Sequence, residues 1–212
     1  MKKVYWVIIV LILLSYLISL LSFSHLPDQL ASHWNSNGEV DRYSSKFWGA
    51  FLLPIIITAI TLLFIAIPYI DPLKRNIEQF KKYYQSFVVI FITFMLLVHL
   101  QIILWNLNYK VSPNLILPLG IGFLMYYIGI MLKNSKRNWF IGIRTPWTLS
   151  SDKVWNKTHQ LGAVLFKIAG VIAILGLLFG KYATWFILVP ILSFALFLVV
   201  YSYFLYQKEK KH

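Results

Sequence analysis

Six stretches of the chain are almost wholly apolar: Val4 to Phe23, Trp48 to Ile70, Phe87 to Leu107, Leu115 to Leu132, Ala163 to Phe179 and Thr184 to Tyr206. A helix needs about 20 such residues to cross roughly 30 Å of hydrocarbon. The pattern therefore predicts an all-α fold, a polytopic membrane bundle of six transmembrane helices forming a single membrane domain over residues 1–212. Five polar connections join the spans. The first, 24–47, is expected to form an extracytoplasmic cap, and the fourth, 133–162, a cytoplasmic loop.

An even number of spans puts both termini on one side of the bilayer. Of the 20 Lys and Arg residues, 15 fall on the side of the termini, four on the other, and Lys167 lies within a span. Cytoplasmic loops carry the excess of Lys and Arg, so both termini are expected in the cytoplasm. Most of the net charge of +13 is thus topological rather than a nucleic-acid footprint, and no direct nucleic-acid partner is expected. The chain is therefore expected to be a multi-pass membrane protein. Ser22 and Ser24 are spaced like a signal-peptide cleavage site, but the 20-residue apolar run before them favours an uncleaved anchor.

With 59% hydrophobic and 13% charged residues, a soluble globular domain is excluded. The chain has no cysteine, which removes disulfide and thiolate chemistry. No predicted span contains Asp or Glu, which argues against an ion-coupled carrier, since such proteins place carboxylates at membrane depth. Tyr and Trp cluster at the span ends, where amphipathic rings favour the headgroup zone, and so require no ligand.

In the first outer loop, Asn37-Gly38 is a tight-turn signal, because both residues tolerate positive φ. A small hairpin-like cap follows, with His33, Trp34, Asn35, Gly38 and Asp41 as a candidate partner-facing group. His25, Asp28, His33 and Asp41 also offer metal-ligand chemistry, but their spacing matches no strong ligand pattern, and no metal or cofactor is expected.

The fourth loop runs Asn138-Trp139-Phe140-Ile141-Gly142-Ile143-Arg144-Thr145-Pro146-Trp147-Thr148-Leu149-Ser150-Ser151-Asp152 and on to His159. Pro146 disfavours a helix at Thr145, while Ser150 or Ser151 suits a helix cap with Asp152 in the first turn. Along that helix Lys153, Asn156, Lys157, Gln160 and Lys167 form a polar stripe, with Lys167 either snorkelling to headgroups or lining a wet cavity. Trp155 and His159, four apart, are expected to pack together. Arg144 is the best anion binder, with backbone pairing as its structural alternative. His99, with Lys167 a candidate intramembrane polar site, and Gln101 are expected to bond neighbouring helices, and Gly176 with Gly180 suggests a helix-packing motif. No nucleophile, base and oxyanion site converge, so the chain is not expected to be an enzyme.

The fourth-loop run Trp139 to Ser150, followed by Val154-Trp155 and Thr158-His159, resembles the signature of the SdpI family of bacterial immunity proteins. The first loop, with Leu26-Pro27, His33-Trp34-Asn35, Gly38 and the downstream Pro54, resembles the uncharacterised N-terminal module that accompanies it. The resemblance implies a multi-pass bacterial plasma-membrane protein protecting its host from a secreted, membrane-active peptide or protein toxin related to the sporulation-delay killing factor. It further implies a signalling role, in which the toxin-occupied protein holds a cytoplasmic autorepressor at the membrane. On this reading the cap faces the toxin, while Gly142, Arg144, Thr145, Pro146, Trp147, Thr148, Trp155 and His159 serve the cytoplasmic partner. The alternative is a small-molecule or lipid transporter, or a lipid-handling protein, using Arg144 and the Lys167 stripe.

Overall fold

Hydrocarbon offers no water to backbone N–H and C=O groups, so apolar runs of spanning length close their hydrogen bonds internally as helices. The structure, a computed structural model, describes residues 2–210; Lys211 of the basic tail lies outside them, as does the side chain of Lys2. The elements are α1 (Lys2–Ser22), β1 (Gln29–Trp34), β2 (Val40–Ser45), α2 (Lys46–Ile70), α3 (Lys74–Asn106), α4 (Pro113–Asn134), α5 (Pro146–Ser150), α6 (Asp152–Leu175) and α7 (Ala183–Lys210). The chain is thus a polytopic, all-α membrane bundle carrying one small hairpin.

Five helical segments have the length and hydropathy to cross a membrane. The last of them, Asp152–Lys210, folds back through a 3-10 stretch at Gly176–Tyr182, where Gly180 takes φ +51°. α6 and α7 consequently pack antiparallel, which makes six crossing helices among the described residues. Gly180 therefore makes this reversal instead of the helix packing expected of it, while a Cβ on Gly176 would lie 2.8 Å from Phe186 Cβ of α7. Close helix packing occurs elsewhere. A Cβ on Gly122 of α4 would lie 2.8 Å from the Gly170 carbonyl oxygen of α6, and one on Gly170 would lie 2.5 Å from the Gly122 carbonyl oxygen. Two turns along, a Cβ on Gly129 would lie 2.6 Å from the Ala163 carbonyl oxygen. Small residues at these crossing points let the two backbones meet.

Two prolines in α2 tie it to its neighbours. Proline has no N–H, so it leaves the carbonyl four residues earlier without its helical donor. Pro54 frees Ala50, whose carbonyl accepts the Ser19 hydroxyl of α1 at 2.6 Å. Pro68 frees Phe64, whose carbonyl accepts the Tyr84 hydroxyl of α3 at 2.8 Å. Ile8, Ile57, Ile77, Phe80, Val88 and Ile92 fill the core between these three helices.

The first and last of the described residues lie at one end of the bundle. Tyr5 lines a small cavity with Tyr69 and Lys81, Asp71 bonds the backbone at Trp139, and Ser151 bonds Glu209 of α7. This terminal end is built up by helix extensions: α3 starts at Lys74, well before the apolar run, and bends at Phe80 (φ −121°, ψ 16°). The antiparallel hairpin of β1 and β2 sits at the opposite, cap end.

Candidate functional site

At the cap end the hairpin is fixed from below. Leu30 is fully buried against Leu26, Ala50 and Ile103. Asn106, at the last turn of α3, bonds both backbone groups of Ala31, accepting its N–H at 2.8 Å and donating to its carbonyl at 3.0 Å. β1 thereby gains a partner on the edge that β2 does not cover.

The five cap residues singled out from the sequence divide by role. Asn35 Oδ1 accepts the N–H groups of Asn37 (2.9 Å) and Glu39 (3.1 Å), and Gly38 takes φ +82°, so these two residues make the turn. Trp34 is half-buried and packs edge-on against Trp105 at 5.4 Å between centroids, a docking contact. His33 and Asp41, paired across the strands, are exposed at the surface. His25 bonds Ser24 instead, and no group of three potential metal ligands occurs among the described residues.

At the terminal end, residues 135–151 form a lid many of whose polar side chains bond its own backbone. Asn138 is fully buried and uses both lone pairs and both amide hydrogens. Its Oδ1 accepts from Phe140 N–H (2.9 Å) and Ile141 N–H (2.6 Å), and its Nδ2 donates to the carbonyls of Lys136 (2.8 Å) and Ile141 (2.9 Å). Buried Asp71 accepts the N–H groups of Leu73 (2.6 Å) and Trp139 (2.9 Å), joining the α2–α3 turn to the lid. Neither Asn138 nor Asp71 stood out in the sequence, because Asx turns and N–H donors from distant loops leave no periodic signal.

The expected Trp155–His159 pair is stacked, with ring centroids 3.9 Å apart. His159 Nε2 accepts the Ile143 N–H at 3.0 Å, so Nδ1 carries the proton and donates to the Trp155 carbonyl at 2.8 Å. Gly142 permits this approach: it has φ +119°, and a Cβ there would collide with His159 Nε2. Thr145 and Thr148 form a reciprocal cap on α5, with Pro146 in the first turn, and Ser151 caps α6. Thr145 Oγ1 also meets Ser202 Oγ at 3.0 Å, and Trp147 packs edge-on against Tyr203 of α7. Arg144 donates to the Trp139 carbonyl at 2.8 Å from an exposed position beside exposed Trp139 and Phe140.

The two candidate intramembrane residues lie apart. His99 of α3 is fully buried, and its Nε2 donates to Ser19 Oγ at 3.0 Å, since that hydroxyl already donates to Ala50. Gln101 bonds the Val111 carbonyl at 3.0 Å. Lys167 of α6 extends over the Tyr126 ring of α4, 5.7 Å from its centroid. The polar stripe also divides, with Lys153 and Lys157 facing a groove against α7 and Asn156 and Gln160 a groove against α3 and α4.

The comparisons with known proteins fall on these two ends. Residues 10–58, covering most of α1, the hairpin and the start of α2, match a domain of unknown function, DUF1648. Residues 134–203, from the lid through α6 and most of α7, match the SdpI/YfhL protein family. The chain is 26% identical over 201 residues to the immunity protein SdpI of Bacillus subtilis (strain 168), covering 94% of each chain. No solved structure matches it. The resemblance read from the fourth loop is therefore met by the SdpI/YfhL family model over residues 134–203, and that read from the first loop by the DUF1648 model over residues 10–58, on the helices of a multi-pass plasma-membrane protein.

Proposed function

We propose that the chain is an integral membrane immunity protein, protecting a bacterial cell against a secreted, membrane-active peptide or protein toxin. The observation that carries this reading is the similarity to an immunity protein over 94% of both chains, taking in cap and lid alike. The terminal end then lies in the cytoplasm, as its excess of Lys and Arg favours. The cap is the toxin-facing surface. Its exposed His33–Asp41 pair stands on a hairpin held rigidly by Leu30 and Asn106, as a preorganised contact requires.

The lid is the signalling surface, on which exposed Trp139, Phe140 and Arg144 meet a cytoplasmic partner, an autorepressor by the family resemblance. Gly142, Thr145, Thr148, Trp155 and His159 shape that surface without touching the partner. Expressing the chain in a toxin-sensitive bacterium tests the reading. Survival of a sporulation-delay-type toxin beside a dying vector control supports it, and equal killing contradicts it. Trp139→Ala with Arg144→Ala should silence signalling while protection persists.

A further inference from the structure

At the terminal end, α6 and α7 diverge around a groove of about 440 Å³. Its rim carries Lys153 and Lys157 from α6 and Lys208 from α7; its wall is Tyr201, Phe204 and Leu205. None of the three lysines is ion-paired among the described residues. Of the nearby carboxylates, Asp152 lies 2.9 Å from Arg137 Nε, and Glu209, the one acid lining the groove, accepts the Ser151 hydroxyl at 2.7 Å and leaves the three lysines in excess. Three cations thus converge on a space whose floor is aromatic and aliphatic.

The apolar wall continues away from the charges. Tyr201 stacks on Phe197, centroids 6.2 Å apart, and Phe197 is half-exposed on the outer surface of α7. On α6, exposed Val164 lies two turns beyond Lys157. An occupant must therefore be anionic at the helix ends and apolar along the helices, with the two parts joined. We propose that this groove is a binding site for an anionic phospholipid, its phosphodiester held by Lys153, Lys157 and Lys208 and an acyl chain lying along Tyr201 and Phe197. A lysine ammonium close to an anionic lipid surface contributes roughly fivefold in binding, so three of them select an anionic over a zwitterionic lipid. The lipid ties α6 to α7 beside the contacts that hold the lid, Ser151 with Glu209 and Thr145 with Ser202.

The test is native mass spectrometry of the purified full-length protein, titrated with phosphatidylglycerol or phosphatidylcholine. Wild type should retain one tightly held phosphatidylglycerol, preferred at least about tenfold over phosphatidylcholine. The triple variant Lys153→Gln, Lys157→Gln, Lys208→Gln should lose that preference while keeping its thermal midpoint, since all three side chains are exposed. The control Lys133→Gln with Lys136→Gln, in the other groove at the same end, should keep it. Water-soluble glycerophosphate and a polyglutamate peptide should fail to displace the lipid. Equal retention of both lipids, unchanged preference in the triple variant, loss in the control pair, or displacement by either soluble anion would overturn the proposal.

Discussion

The Tyr84 hydroxyl of α3 donates at 2.8 Å to the Phe64 carbonyl of α2, the group that Pro68 leaves without a helical donor. The proline and the tyrosine therefore work as a unit. Tyr84→Phe should cost about 1 kcal/mol through the orphaned carbonyl, within the range of interhelical hydrogen bonds in membranes. In a Pro68→Ala background the helix satisfies that carbonyl itself, and the cost should largely vanish. A double-mutant cycle on thermal midpoints in detergent measures this; additive effects would show that the two residues are not coupled.

The lid depends on a glycine meeting a histidine. Gly142→Ala forces a Cβ toward His159 Nε2 at φ +119° and should destabilise the lid by roughly 2–3 kcal/mol, read as faster proteolysis within 135–151. The same geometry fixes the tautomer. Histidine ¹⁵N spectra should show His159 protonated on Nδ1 and unprotonated on Nε2. A proton on Nε2 would mean that the Ile143 N–H is bonded elsewhere.

The α4–α6 crossing has no slack where backbone faces backbone. Gly170→Ala should lower the thermal midpoint by the equivalent of about 2 kcal/mol or more, because the obstructing atoms are backbone of α4 and cannot swing away. Gly129→Ala should behave similarly against the Ala163 carbonyl. Unchanged midpoints in both would place the helices further apart than described.

The cap should loosen when its anchor is removed. Asn106→Ala deletes both bonds to Ala31, at an expected cost of about 1–3 kcal/mol. Added protease should then cut between residues 24 and 45 in the variant well before it cuts the parent. Equal cleavage would assign the anchoring to Leu30 and Trp34 instead.

The bundle and its hairpin were legible because both follow from local rules: apolar runs of spanning length, and an Asn-Gly turn between short polar strands. The start of α6 was likewise legible as a cap at Ser150 or Ser151, of which Ser151 makes it, whereas the short α5 beginning at Pro146 was not. The early start of α3 was not visible, since Lys74 to Lys82 carry the polarity of a loop on residues of good helix propensity. The α4–α6 contact was missed although small residues recur seven apart at Gly122 and Gly129 and at Ala163 and Gly170, because only pairing two distant segments gives that spacing meaning. Gly176 and Gly180 showed the more familiar spacing, but Gly180 carries a turn. At the cap, five residues of one loop looked alike in sequence; solvent exposure and hydrogen bonding separate His33 and Asp41 from the three that build the fold.

That separation sets the most direct measurement: toxin survival of cells expressing His33→Ala with Asp41→Ala, matched to the parent for membrane accumulation and for resistance of the hairpin to protease. The expected result is normal accumulation with protection reduced at least about tenfold, the scale of losing one central contact pair at an interface. Full protection from an equally abundant double variant would contradict a toxin contact through the cap.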